Sequence, residues 1–413
     1  MVKISLCEFI SGLSDALNLT YVGAGVDWGS MTHSSKVCYI AHKIAEQLHL
    51  DERARSVLYY AALLHDSGLS STRELKDILH FEAIREFSHC KRGYELLKKS
   101  PHTEKFSGIV LHHHDKWTGP NESGISGNEI PICSRIVHVA DRVDTLMRPR
   151  EYVLHQRNEV VGIINEYSGT YFDPQVIDAF NQIACLGSFW LNLTARQTEE
   201  LVHRYRPKED IMLSYDELGD ITEIFAEIVD SKSPFTLQHS RKVARVAVAL
   251  AKRFKFSPSE CEAMKIAGLL HSLGKLSVSD HVLNKPDKLT WDEYEIIKRH
   301  GYFTYVTLNK IKGLETVAQW ASLHHERLDG AGYPFRMKAE DIPLGVRIVA
   351  VSNTLAALAV DRPNRKAHPI KRIREILNEC VSEGALDGDV VGIVIENFDE
   401  FYKLLELKQP VSR

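Results

Sequence analysis

The sequence predicts an all-α protein built from two tandem copies of one helical domain. Two observations carry this prediction: histidine-centred motifs occur twice in the same order, and apolar residues around them recur at the spacing of a helix face. Strand-like alternation of apolar and polar residues is scarce. The length of 413 residues also favours more than one domain, at roughly 150 residues per domain.

The repeat is visible in the order of its landmarks. The first copy contains His33-Ser34, ALLHDSG at 62–68, His89, LHHHDKW at 111–117 and SRIVHVAD at 134–141. The second contains His239-Ser240, GLLHSLGK at 268–275, His300, SLHHERLDGAGYP at 322–334 and VRIVAVSN at 346–353. Matching positions lie 206 to 212 residues apart, and such a steady offset indicates a duplication. We therefore predict two domains, residues 1–205 and 206–413.

Local patterns predict the helices that carry these motifs. After His33, apolar residues are spaced three and four apart, as on one buried helix face: Val37, Ile40, Ala41, Ile44, Ala45 and Leu48. The apolar run Tyr59–Leu64 places His65 and Asp66 at a helix end, where Gly68 is expected to terminate the helix. A metal site built from several helices is a common use of such a core.

Composition excludes several classes of function. The net charge of −4 argues against a partner that is a polymeric nucleic acid, and no apolar stretch is long enough for a signal peptide or a membrane span. The seven cysteines are odd in number and never form a CxxC pair, which is typical of a reducing compartment. We expect a cytoplasmic protein that has no contact with membranes.

In the first copy, seven polar side chains lie within apolar helical segments: His33, His65, Asp66, His89, His113, His114 and Asp141. Burying them would be costly unless a ligand satisfied them. A lone histidine is usually a core residue, but this combination of doublets predicts a metal site. Its nitrogen and oxygen donors suit iron, manganese or zinc. Two ions sharing Asp66 would use the whole set and activate water for attack on phosphorus, which makes Asp66 and His65 the candidate catalytic residues.

These motifs resemble a known family. HSxKV at 33–37, HDSG at 65–68, HHDKW at 113–117 and the terminal Asp141 resemble the HD superfamily of metal-dependent phosphohydrolases. The second copy, with HHERLDGAGYP, is similar to the HD-GYP branch, bacterial phosphodiesterases that open cyclic dinucleotides. The resemblance implies a centre of two or three divalent ions, often iron or manganese, and a substrate such as cyclic di-GMP or 3′,3′-cyclic GMP–AMP.

The two copies depart from the family pattern in complementary ways. In the second copy Ser272 and Asn353 replace the two aspartates, although five histidines, the GYP motif and Lys275 remain. The first copy keeps every ligand, but TGPNESG at 118–124 replaces the GYP stretch and Leu69 replaces the expected lysine. We predict that the first copy is catalytic and that the second is regulatory or structural.

Cationic side chains near the motifs are candidates for binding the phosphate groups of a substrate. These are Lys116, Arg148 and Arg150, of which the arginine pair matches the segment at Arg362 in the second copy. Lys36, by contrast, is expected to be an ordinary surface residue.

Alternative functions stay open at this point. The first copy could instead be a nucleotidase or a hydrolase of linear dinucleotides, which the missing GYP stretch favours. Both copies could also form a scaffold that senses nucleotides without catalysis, although decay of the site should have removed Asp66 and Asp141 early. The second copy could mediate a homodimer or bind a regulatory protein.

Overall fold

A computed structural model describes residues 2–25, 32–69, 71–79, 86–148, 150–236, 238–363 and 365–406. The all-α prediction is confirmed, because helices account for nearly all regular structure in these ranges. The strands that they contain are β1 (Ile4–Ser5) and β2 (Met212–Leu213), which form a two-stranded sheet. Within the same ranges, no helix has the length and apolar character needed to cross a bilayer.

The chain divides into two compact units. The N-terminal unit comprises Ser5–Ile211, and the C-terminal unit comprises Met212–Arg413 together with Met1–Ile4. The helices of the N-terminal unit are α1 (Leu6–Gly23), α2 (His33–Gln47), α3 (Glu52–Leu64), α4 (Thr72–Ile78), α5 (Glu86–Leu97), α6 (Glu104–Leu111), α7 (Ile132–Leu146), α8 (Val153–Glu166), α9 (Pro174–Ala184), α10 (Gly187–Leu191) and α11 (Ala195–Val202).

The C-terminal unit has a similar succession of helices. They are α12 (Gly219–Ser231), α13 (His239–Arg253), α14 (Pro258–Leu270), α15 (Asp280–Leu283), α16 (Trp291–Asn309), α17 (Glu315–Ser322), α18 (Leu344–Leu358), α19 (Ile370–Ser382), α20 (Gly388–Glu396) and α21 (Phe398–Lys403). Four helices that carry the repeated motifs have equal lengths in the two units: 15 residues for α2 and α13, 13 for α3 and α14, 8 for α6 and α17, and 15 for α7 and α18.

The helix α2 lies at the centre of the N-terminal unit. Its apolar face, from Val37 to Ala45, is fully buried and packs against α3, α7 and α9. The helix begins at His33 and α3 ends at Leu64, so the central helix and its neighbour both present a motif histidine at one end. The predicted face is therefore confirmed from Val37 to Ala45, whereas Leu48, its last predicted residue, lies just beyond α2 and is half-buried.

Candidate metal centre

One buried cluster in the N-terminal unit contains all seven side chains that the sequence predicts as ligands. A motif histidine starts α2, the His-Asp pair follows α3, the His-His pair comes shortly after α6, and α5 and α7 each supply one interior residue. Every one of the seven is at most 6% exposed: His33, His65, Asp66, His89, His113, His114 and Asp141. Five segments of the chain thus converge on one polar centre inside an apolar core.

A first group of donor atoms surrounds His33. Its Nε2 lies 3.2 Å from His65 Nε2 and 3.3 Å from Asp141 Oδ1. Asp66 Oδ2 is 3.5 Å from His65 Nε2. Three donor atoms, one each from His33, His65 and Asp66, lie within 4.8 Å of one another, which is compatible with a shared metal ion.

A second group lies around His89. Its Nε2 is 3.3 Å from His113 Nε2, and donor atoms of His89, Cys90, His113 and His114 fall within 4.8 Å of one another. Asp66 connects the two groups, because its Oδ1 is 3.7 Å from His89 Nε2 while its other oxygen faces the first group. A carboxylate in that place is positioned to bridge two ions.

Backbone carbonyl groups fix the orientation of two of the histidines. His65 Nδ1 lies 2.8 Å from Ala62 O, and His113 Nδ1 lies 2.6 Å from Val110 O. A carbonyl can only accept, so each Nδ1–H donates and each Nε2 presents its lone pair to the centre. Both bonds reach three residues back along the chain, since both histidines stand just beyond a helix C-terminus.

His33 is oriented by a carboxylate that sequence reasoning missed. Asp144 Oδ2 lies 2.7 Å from His33 Nδ1, and Asp144 Oδ1 lies 3.3 Å from Lys36 Nζ. Lys36 is 8% exposed, so the prediction that it is a surface residue is wrong. Lys36 is one turn after His33 on α2, and Asp144 is one turn after Asp141 on α7; this i,i+3 spacing was the available signal.

Arg142 is a second residue that the sequence did not reveal. It is 2% exposed, its Nη2 lies 3.1 Å from Asp141 Oδ2, and the same nitrogen lies 3.3 Å from His114 Nδ1. Burial alone would raise the pKa of Asp141, but the Arg142 guanidinium and the neighbouring histidines hold that pKa well below its usual range. Asp141 is therefore ionised, as a carboxyl group must be to bind a metal ion.

Burial also determines the charge of several imidazoles. It lowers the pKa of His89 to about 4, and burial together with neighbouring imidazoles holds the pKa of His113 and of His114 well below the usual range. These side chains are neutral and can act as ligands. At His33 the adjacent carboxylates of Asp141 and Asp144 outweigh burial and raise the pKa to about 10, so this side of the centre favours a cation.

The donor set fits divalent metal ions. Five imidazoles and two carboxylates, with no paired thiolates, match iron, manganese or zinc better than magnesium. Tyr21 adds an outer contact that the sequence did not suggest, since its hydroxyl donates to Asp66 Oδ2 at 3.0 Å.

The cations predicted to bind substrate make other contacts. Lys116 Nζ donates to the Tyr171 hydroxyl at 3.0 Å, and exposed Arg148 pairs with Glu151 and Glu159. Arg150 is exposed. A role for these three side chains in binding phosphate stays a prediction.

The corresponding place in the C-terminal unit has a different polar environment. His239 Nε2 lies 3.0 Å from Asn353 Oδ1, and His271 Nε2 lies 2.9 Å from Ser272 Oγ. A cavity of about 1000 Å³ in this unit is lined by Asn353 and Lys275 and by three further histidines, His300, His324 and His325. The two units thus carry similar histidines in environments of opposite charge.

Comparison with known proteins decides the family. The HD-domain family model matches residues 28–176 and again residues 223–390. The chain belongs to the HD-domain family. Each of the two matches in this HD-domain protein contains one of the histidine clusters described above.

Relatives and a solved structure agree with this assignment. The chain is 31% identical to 3′3′-cGAMP-specific phosphodiesterase 1 of Vibrio cholerae, over 94% of this chain and 91% of that protein. It is 27% identical to 3′3′-cGAMP-specific phosphodiesterase 3 of the same organism, over 91% of this chain and 90% of that protein. The cyclic di-GMP phosphodiesterase PA4108 of Pseudomonas aeruginosa is 36% identical over 34% of this chain and 35% of that protein.

The fold of this HD-domain chain also matches a crystal structure. That structure is a cyclic GMP-AMP-specific phosphodiesterase of Vibrio cholerae, with a TM-score of 0.70 and 24% identity over 96% of this chain and 98% of that one. At this identity the match establishes the shared fold.

Proposed function

We propose that the N-terminal unit hydrolyses one phosphodiester bond of a cyclic dinucleotide, 3′,3′-cyclic GMP–AMP or cyclic di-GMP, to give a linear dinucleotide. The observation that carries the proposal is the place of Asp66, whose two oxygens face different groups of histidines. That arrangement suits a centre of two divalent ions, iron or manganese. Full-length relatives named as phosphodiesterases of 3′3′-cGAMP support this substrate class.

Each residue has a role in this proposal. His33, His65, Asp66, His89, His113, His114 and Asp141 would hold the ions. Ions bound there would lower the pKa of a coordinated water molecule and offset the charge that develops on the phosphate oxygens. Asp144 and the carbonyl groups orient imidazoles, and Arg142 keeps Asp141 ionised. Lys116, Arg148 and Arg150 remain candidates for contacts with the outer phosphate.

The C-terminal unit is proposed to be catalytically silent. Ser272 and Asn353 supply neutral hydrogen-bonding groups where the N-terminal unit has carboxylates. Without a bridging carboxylate, two closely spaced ions would lack charge balance. A homodimer, a regulatory protein bound through this unit and a cytoplasmic location stay predictions.

A second candidate function is a nucleotidase or a hydrolase of linear dinucleotides. One observation favours it: Leu69, at the position of Lys275 in the other unit, packs in an apolar cluster with Tyr21, Leu75 and Ile78. The N-terminal unit therefore has no cation at a place where the C-terminal unit has one. A site with one cation fewer would suit a substrate whose phosphate groups need fewer positive partners in the protein.

A substrate panel separates these functions. Protein loaded with Fe²⁺ or Mn²⁺ under anaerobic conditions is incubated with cyclic di-GMP, 3′,3′-cyclic GMP–AMP, linear pGpG and mononucleotides. Linear dinucleotide formed from a cyclic substrate is the expected product. Release of inorganic phosphate from mononucleotides, with no opening of cyclic dinucleotides, would establish the nucleotidase instead. Absence of turnover by fully loaded protein would favour the non-catalytic scaffold.

A further inference from the structure

The histidines of the C-terminal unit fall into two groups with opposite hydrogen-bonding states. In the first group, the Nε2 atoms of His239 and His271 are engaged by Asn353 Oδ1 at 3.0 Å and by Ser272 Oγ at 2.9 Å. These neutral partners stand where the N-terminal unit has Asp141 and Asp66. The imidazoles are thus satisfied by the protein itself and do not require a metal ion.

The second group is left unsatisfied. His300 Nδ1 donates to Ile297 O at 2.7 Å, and His324 Nδ1 donates to Ala321 O at 2.6 Å. Each of these bonds leaves the lone pair on Nε2, and both Nε2 atoms are buried without a hydrogen-bond partner among the described residues. Leaving such atoms unpaired is costly unless a ligand satisfies them.

The third member of this group is His325, which the GYP motif orients. The Tyr333 ring stacks on the His325 ring with centroids 4.7 Å apart and planes 19° apart, and Tyr333 N donates to His325 O at 3.2 Å. Gly332 permits this close packing, because a Cβ there would lie 2.4 Å from Arg327 N. Donor atoms of His300, His324 and His325 all fall within 4.8 Å of one another.

We propose that the C-terminal unit binds a single divalent metal ion through His300, His324 and His325, and that this ion binds an anionic phosphate ligand without hydrolysing it. A set of three imidazoles selects a borderline ion such as Zn²⁺, Fe²⁺ or Co²⁺ over Mg²⁺ or Ca²⁺. The inference does not depend on which reaction the N-terminal unit catalyses.

Charge around the cavity determines the class of ligand. The three histidines border the cavity of about 1000 Å³, and so do Lys275 and Arg362. Lys275 and Arg362 repel each other electrostatically, and the buried carboxyl group of Asp230 also acts on Lys275. The acidic side chains of the same cavity are engaged, since Glu295 pairs with Lys298 and Glu326 accepts from the backbone N–H of Phe335. A dication beside these two cations favours an anionic ligand, and nucleotide phosphate is a ligand of that class.

Metal content of matched variants of the full chain tests the site. His324→Gln is compared with His271→Gln, because both histidines are buried and both donate Nδ1–H to a carbonyl three residues back. After loading with Co²⁺, His324→Gln should hold one ion fewer per chain than wild type, whereas His271→Gln should hold the same number. Ions in the N-terminal unit are common to all three proteins and cancel. Equal metal content in all three, or equal losses in both variants, would overturn the proposal.

Optical spectra provide a second test of the metal site, and they also test whether the bound ion takes a phosphate ligand. The difference between the visible Co²⁺ spectra of wild type and His324→Gln reports on this one ion, and circular dichroism confirms that the variant is folded. Inorganic phosphate should shift that difference spectrum, and Lys275→Met should weaken the phosphate effect about tenfold without changing metal content. An unshifted difference spectrum at saturating phosphate would overturn the anion-binding role.

Discussion

At the scale of single residues, the ligands of the N-terminal cluster are held by side chains from other segments of the chain, namely Asp144, Arg142 and Tyr21. All seven predicted ligands of the N-terminal unit lie in one cluster. The supporting residues were not predicted, because their roles depend on contacts between distant segments. Tyr21 reaches Asp66 from 45 positions earlier in the chain, and nothing in its local sequence indicates that contact.

Asp144 provides a direct test of how the cluster is held in place. Its carboxylate accepts from His33 Nδ1, so we expect Asp144→Asn to weaken metal binding about 10- to 100-fold, the usual cost of losing an outer partner of a ligand. Competition with a chromogenic chelator measures this affinity. Asp115→Asn is the matched control, since Asp115 makes the same kind of 2.7 Å contact with His112, which is not among the proposed ligands. Equal affinities in the two variants would contradict the role given to Asp144.

Asp230 of the C-terminal unit predicts a pH dependence of stability. It is 4% exposed and accepts from Ser240 N and Ser240 Oγ, yet burial raises its pKa to about 7. The folded state therefore binds this proton more tightly than the unfolded state. Asp230 costs no stability below about pH 4, and its cost grows as the pH rises to about 7. Asn18 makes the same two bonds to Ser34 in the N-terminal unit.

Asp230→Asn should remove this dependence. Relative to wild type, the variant should gain on the order of 4 kcal/mol in unfolding free energy between pH 4 and pH 8, because folding raises the pKa of Asp230 by about 3 and each pKa unit is worth about 1.4 kcal/mol. Urea unfolding followed by circular dichroism across that range measures the difference between the two proteins. A difference that stays constant with pH would show that Asp230 does not titrate in this window.

At the scale of elements, the sequence predicted the helices, but it did not predict the structural role of Gly68. Gly68 follows α3 as expected, but its backbone is not in the left-handed region that a helix-ending glycine often adopts. Its function is close approach: a Cβ at Gly68 would lie 1.9 Å from His89 O and 2.4 Å from Gly93 N. Gly274 makes the same approach to His300 O in the other unit, where a Cβ would lie 2.1 Å away. Contacts of this kind between helices cannot be deduced from a local pattern.

This contact predicts that Gly68 sets the position of His89 relative to His65. Gly68→Ala would force the turn after α3 away from α5, so we expect a loss of about 1 to 3 kcal/mol in stability and reduced metal content. Gly162→Ala is the control, since that position in α8 has no atom within 4 Å of an added Cβ and should gain roughly 0.5 to 1 kcal/mol. Thermal unfolding and elemental analysis measure both effects. Undiminished metal content in a stable Gly68→Ala protein would refute the proposed spacing role.

At the scale of the whole molecule, one helical frame occurs in two units with opposite polar chemistry. The N-terminal centre contains Asp66, Asp141 and Asp144, whereas the C-terminal unit has Ser272, Asn353 and Ala356 at the matching positions. The order of motifs predicted the first two of these differences from sequence alone, whereas the third, at Asp144, was not predicted. The pairing of β1 with β2 had no such signal, because strands of two residues leave no pattern and these two lie more than 200 positions apart.

The central claim is that catalysis depends on the carboxylate that joins the two ligand groups of the N-terminal unit. Asp66→Ser gives that unit the residue found at the matching position of the C-terminal unit, and Ser272→Ala is the control. The decisive measurement is the rate at which wild type, Asp66→Ser and Ser272→Ala hydrolyse the preferred cyclic dinucleotide after loading with metal under identical conditions. We expect Asp66→Ser to lose more than the roughly 100-fold that an outer residue costs, and Ser272→Ala to retain wild-type turnover. Unchanged turnover in Asp66→Ser would contradict the assignment of catalysis to this centre.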